Sequence, residues 1–206
     1  MNDAIVPEAP PIDTRERLLR AGEQLFRTQG YAGTGLKQLT AAADAPWGSL
    51  YHFFPGGKAQ LGVEVLRYAG QLYRQGIETL FVRITDPADA VERLFTGEAS
   101  LLSTSDYRDG CPIASVTLDA ASVDEALRAA CAEAFGGWLE AIRDGLGAAG
   151  APAETAIALA GFILSALEGA IVLSRAAKNP APLLQSATYV RRVVEGEART
   201  WRPAFP

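Results

Sequence analysis

The chain has 206 residues and a net charge of −5, so it is long enough to bury a sizeable core and is no general polyanion binder. Two cysteines and one histidine exclude a zinc finger or a Cys/His metal cage, and no metal or cofactor is expected. Apolar residues, glycine and alanine are plentiful and β-branched runs are scarce, which predicts an all-α fold with no uninterrupted membrane-spanning stretch.

The first residues, 1–12, are acidic and proline-rich, unlike a secretory signal; a disordered arm and a cytoplasmic protein are expected. Asp13 followed by Glu16 predicts an N-cap with its capping-box partner. Leu18, Gly22, Leu25 and Phe26 then recur at helical spacing up to a stop at Gly30. Thr34 is placed to cap a second helix with Leu36, Leu39 and Ala43 on its apolar face. Asp44-Ala45-Pro46 makes a turn, because proline suits a helix's opening and not its interior.

The third helix is short, and only Leu50 and Phe53 can face a core. Trp47, Gly48, Ser49, Tyr51 and His52 are left on its other side, with Lys58 just beyond. Two short helices joined by a tight turn, showing small, polar and aromatic groups outward, suit a DNA major groove. Residues 14–67 carry seven Lys/Arg against four acids, or +3, leaving −8 on the rest, as expected of a protein that touches DNA with one end.

A long helix opens at Lys58 and runs to about Phe81. Further helices are expected from Pro87 to about Ser103, Cys111 to about Ala121, Asp124 to Ala149, Pro152 to Ala177, and Pro182 to about Trp201. The Pro152–Ala177 segment is apolar nearly all round, so it needs cover on several sides, and its small residues Gly161, Ser165, Ala166, Gly169 and Ala170 would admit a neighbouring helix. Glu168 interrupts it; a carboxylate there needs a partner such as Arg175, an arginine across a dimer, or a ligand. Cys111 and Cys131 are expected as free thiols. No nucleophile elbow, phosphate loop or dinucleotide fingerprint is present, so no catalytic residue is expected.

The run RLLRAGEQLFRTQGYAGTGLKQLTAAADAPWGSLYHFFPGGKAQL resembles the DNA-binding half of the tetracycline-repressor (TetR/AcrR) family. The ordered set carries this: Phe26 and Gly30, Thr34, Gly48-x-Leu50-Tyr51, and an aromatic closely followed by Lys58. The turn Pro55-Gly56-Gly57-Lys58, with GCPIASVTLDAA and LEGAIVLSRA further on, is similar to the subgroup containing the lincomycin-resistance repressor. Asp44 and Ala45 stand where glycine and a larger aliphatic are usual, and Trp47 where the subgroup often has a basic residue.

The resemblance implies a helix-turn-helix DNA-binding domain at 13–60 and a helical ligand-binding and dimerisation domain at 61–206. It implies a homodimeric repressor, dimerising through its last two helices, that leaves a palindromic operator when a small, mainly apolar effector binds. Thr34, Lys37, Trp47, Gly48, Ser49, Tyr51, His52 and Lys58 are the expected DNA contacts. Phe95, Tyr107, Cys111, Phe135, Trp138, Phe162 and Glu168 are the expected pocket lining. The competing reading, favoured by Trp47, is a helical ligand-binding or scaffold protein that has lost specific DNA recognition.

Overall fold

The structure, a computed structural model, describes residues 13–201; the expected arm at 1–12 lies outside the described residues. Nine helices follow one another among the described residues: α1 (Thr14–Gln29), α2 (Leu36–Ala42), α3 (Trp47–Phe53), α4 (Gly57–Arg83), α5 (Pro87–Thr104), α6 (Pro112–Asp119), α7 (Glu125–Ala148), α8 (Ala153–Ala177) and α9 (Ala181–Ala198).

Short polar side chains start several of them. Asp13 Oδ1 accepts from the Glu16 amide at 2.7 Å, Asp86 Oδ1 from Ala88 at 2.8 Å, and Asp124 Oδ1 from Leu127 at 3.0 Å. The capping box at α1 forms only in this half, because the Glu16 carboxylate turns away to take the Arg20 guanidinium at 2.7 Å. Thr34 does not cap α2: Gly35 is the N-cap, and the buried Thr34 hydroxyl donates back to the Gly30 carbonyl at 2.6 Å. Gly30, at φ 73°, folds the chain inward and carries Thr34 with it.

Helices α1 to α3 share a core of Leu18, Phe26, Leu39, Leu50 and Phe54. The division expected at residue 60 falls inside α4, which is continuous from its contacts with α1 to its long packing on α7. Small residues bring α4 and α7 together: a Cβ on Gly70 would lie 2.8 Å from the Ala134 side chain, and one on Gly145 2.3 Å from the Phe81 ring. Helix α9 rests on α5, where Arg191 joins Asp89 and Glu92.

Helix α8 is long and apolar enough, by length and composition, to cross a membrane, although Ser165 and Glu168 interrupt its apolar run. In this fold it packs on α5, α7 and α9. Its buried side is Leu159, Ile163, Leu164, Leu167 and Ile171, while Ile157, Phe162, Val172 and Leu173 stand exposed, as do Leu184, Tyr189 and Val193 on α9. A Cβ at Gly161 or Gly169 would meet nothing within 4 Å, so among the described residues no helix packs against these two glycines, whereas Ala166 and Ala170 of the same small-residue set pack into the core.

Candidate nucleic-acid interface and internal cavity

The turn between α2 and α3 depends on Asp44, whose φ of 47° is left-handed. Glycine is the easiest occupant of that region, but aspartate tolerates it better than most, and here its carboxylate also lies 3.7 Å from the Arg17 guanidinium. Ala45 N–H then donates to the Thr40 carbonyl at 3.0 Å, and Pro46 opens α3.

Leu50 is fully buried and anchors α3, so the opposite side is set outward. Trp47 is 46% exposed and Tyr51 48% exposed, their rings edge-to-face with centroids 5.8 Å apart. Gly48 and His52 are exposed and Ser49 half-buried, and Lys37 is exposed on α2. A Cβ at Gly48 would meet nothing within 4 Å, so nothing among the described residues requires glycine there. A close approach from outside would. Trp47, Gly48, Ser49, Tyr51 and His52 therefore form one outward surface, and Thr34, buried behind it, is not part of that surface.

Lys58 has a second engagement that its sequence position did not signal. Its ammonium sits 4.4 Å from the centre of the Tyr31 ring and 3.5 Å from the Ala32 carbonyl. Burial pulls its pKa down, and Asp119 partly offsets this. Asp119, on α6, accepts from the Ala32 amide at 3.0 Å, so the segment after α1 is held from both the α4 and the α6 side.

A cavity of about 50 Å³ lies inside the second half of the chain, walled mainly by Ile77, Leu94, Trp138, Ile142, Leu164 and Leu167, with Tyr73, Glu98, Cys111 and Glu168 also facing it. It adjoins an outer groove of about 390 Å³ between α6 and α8, and Gly110, Cys111, Glu168 and Ile171 line both. Glu168 Oε2 is buried with no hydrogen-bond partner. Burial pushes this carboxyl up to about 7, with the Cys111 thiol beside it pulling down and the Glu98 charge pushing up. Burial likewise raises Glu98, the phenol of Tyr73 and the thiol of Cys111. A polar groove of about 440 Å³ between α4 and α7 is lined by Arg67, Arg74, Glu78 and Glu133, whose charges are paired with one another or with Glu140.

Of the seven residues expected to line a pocket, Cys111, Trp138 and Glu168 meet at the cavity. The Trp138 indole N–H donates to the Gly70 carbonyl at 2.8 Å, leaving its ring as wall. Phe95 is fully buried core, and Phe135 packs edge-on behind Trp138 at 5.4 Å. Tyr107 lies in the α5–α6 connection with its hydroxyl 3.4 Å from Ser103 Oγ, and Phe162 is exposed on the other side of α8. Nor does Glu168 pair with Arg175, which reaches α1 instead and donates from Nη2 to the Thr28 carbonyl at 2.8 Å. Glu98 was missed, although it follows Val91 by seven residues on the buried face of α5, a position that sequence spacing can expose.

Comparison with known proteins agrees with this architecture. Residues 18–65 match the family model "Bacterial regulatory proteins, tetR family", and 87–189 match "Transcriptional regulator LmrA/YxaF-like, C-terminal domain". The HTH-type transcriptional regulator LmrA of Bacillus subtilis (strain 168) is 34% identical over 178 residues, covering 86% of this chain and 95% of LmrA. YxaF of the same organism is also 34% identical, over 93% of its length. The regulator CifR, solved in complex with a 26 bp operator duplex, superposes with a TM-score of 0.70 at 25% identity, covering 95% of this chain and all of that one. A TetR regulatory protein from Rhodobacter sphaeroides, at 22% identity and a TM-score of 0.77 over 87% of this chain and 97% of its own, shares the fold. With the outward α3 surface and the enclosed cavity in place, the chain belongs to the TetR family of DNA-binding transcriptional regulators and carries an LmrA/YxaF-like C-terminal domain.

Proposed function

We propose that the chain is a homodimeric repressor released from a two-fold operator by a small molecule bound at the Glu168 cavity. DNA binding by relatives supports the first half, CifR having been solved on its operator. In this reading Trp47, Gly48 and Ser49 lie against base edges, while Lys37, Tyr51, His52 and Lys58 take phosphates. The exposed apolar side of α8 and α9, with Leu173 61% and Tyr189 65% exposed, is the surface a second copy would cover, closing a two-fold interface.

The observation that carries the switch is where the cavity sits. Its rim is the segment that grips α1: Asp109 takes the Gln24 amide at 3.1 Å and lies 3.7 Å from the Arg27 guanidinium, and Arg175 holds the Thr28 carbonyl. A ligand that moves α6 against α8 therefore acts on the end of α1. A coupling of about 1–3 kcal/mol would lower operator affinity by roughly 5- to 150-fold, and linkage requires operator to weaken the ligand by the same factor. Calorimetric titration of an effector with and without operator tests this; equal affinities in the two titrations would reject the switch.

A further inference from the structure

On the reading that the Glu168 cavity holds the effector, we infer that this effector is a protonated amine carrying an aromatic or aliphatic body, its ammonium seated between Glu98 and Glu168. The two spaces divide such a molecule by size. The inner cavity, about 50 Å³, accepts a small head group but no ring system, whereas the outer groove, about 390 Å³, accepts a body with apolar contacts from Ile171, Val172 and Leu118.

The charges around these spaces are unbalanced. Arg27 is already committed, lying 3.4 Å from Glu23 and 3.7 Å from Asp109, and Arg175 gives its Nη2 to the Thr28 carbonyl. Glu98 and Glu168 have no ion-pair partner among the described residues, and Glu168 Oε2 has no hydrogen bond. A buried carboxylate left so is costly, and a ligand ammonium supplies both the counter-charge and the missing donor. An anionic ligand would face both carboxylates, offset only in part by Arg27 near Glu98 and Arg175 on the outer groove, and a neutral one would leave Glu168 without a counter-charge. Cationic binding is thus the occupancy that gives Glu168 Oε2 its missing donor and both carboxylates a counter-charge.

The test uses three probes with one ring system, naphthylethylamine, naphthylethanol and naphthylacetate, titrated calorimetrically into the full-length protein, each with a parallel operator gel shift. The amine is expected to bind about 10-fold or more tighter than the alcohol, with the acetate weakest. Glu168→Gln and Glu98→Gln, which keep the side-chain shape, should each bring the amine down to the alcohol's affinity and leave the alcohol within about twofold of its wild-type value. Equal binding of amine and alcohol, preference for the acetate, a preference that survives both glutamine variants, or no binding of any probe at about 1 mM would overturn the inference. The gel shift keeps the two claims apart. Operator release by a tightly bound alcohol would sink the amine and keep the switch, and carboxylate-dependent amine binding without release would do the reverse.

Discussion

Arg175 on α8 and Thr28 on α1 stand 147 positions apart in sequence, yet the guanidinium of one donates to the carbonyl of the other at 2.8 Å. That carbonyl belongs to the last turn of α1, where backbone oxygens lack helical partners, so the arginine completes the helix end as well as tying two parts of the chain together.

Replacing Arg175 with Met should therefore act on both. A hydrogen bond from a charged donor contributes about 1.5–3 kcal/mol, so chemical denaturation should show a loss of that order. Operator affinity without effector should stay within about threefold of wild type, while the effector's power to release DNA falls. An unchanged effector response in gel shifts would show that the signal reaches α1 by Asp109 or Asp119 alone.

Lys58→Ala and Trp47→Ala should separate two kinds of DNA contact. Loss of Lys58 should weaken binding to every sequence alike and lower the salt slope by about one unit. Because the ammonium also packs on Tyr31, the variant should lose roughly 0.5–1 kcal/mol of fold stability. Trp47→Ala should instead change which bases are preferred. Binding to a randomised operator library at several salt concentrations reads both effects.

Glu168 makes stability depend on pH in an unusual direction for a carboxylate. Its folded-state value near 7 exceeds the ordinary 4.5, so the folded chain binds the extra proton between them and stability falls as pH rises through that window. The cumulative cost approaches about 3 kcal/mol for a shift from 4.5 to about 7. Glu98, raised by the same burial, adds with the same sign. Glu168→Gln removes the penalty, so thermal melts should place the variant about 5 °C or more above wild type at pH 8 and level with it at pH 4. A variant that melts lower at pH 8 would mean that the ionised group is paired after all.

Leu173→Glu with Phe162→Glu places charge on the exposed side of α8. Sedimentation should show wild type at twice 21.8 kDa and the double variant as a monomer, with operator binding reduced at least tenfold because one half-site remains. A wild-type monomer at micromolar concentration would remove the dimer from the proposal.

Local chemistry was readable from sequence wherever it was self-contained. Asp13 caps as expected because the acceptor and its amide lie within one turn, and Asp124, expected as the start of its helix, caps in the same way. The α3 surface was readable too, since Leu50 alone decides which side turns inward. Thr34 failed because its hydroxyl's partner, the Gly30 carbonyl, depends on a left-handed residue that reroutes the chain. Glu168, Glu98 and Arg175 could be flagged as polar residues on buried helices, but their partners lie on other helices, and helical periodicity contains nothing about which helix comes next. Phe95 and Phe162 show the same limit: one fills the core and the other is bare, and on a helix apolar nearly all round, as around Phe162, periodicity does not mark which side is covered.

The glycine-tight seam between α4 and α7 has a geometric consequence. Because Gly70 and Gly145 let the two helices meet with no slack, the motion open to α4 under the proposed switch would be a pivot as a rod rather than a bend. Its 27 residues make a rod about 40 Å long. A tilt of about 5° at the far end then displaces the near end by about 3.5 Å, close to the rise of one base pair. In the proposed dimer, motion too small to disturb the packing around the cavity would thus be geared up into a shift of a full step along the double helix, enough to take the two reading heads out of register with their grooves.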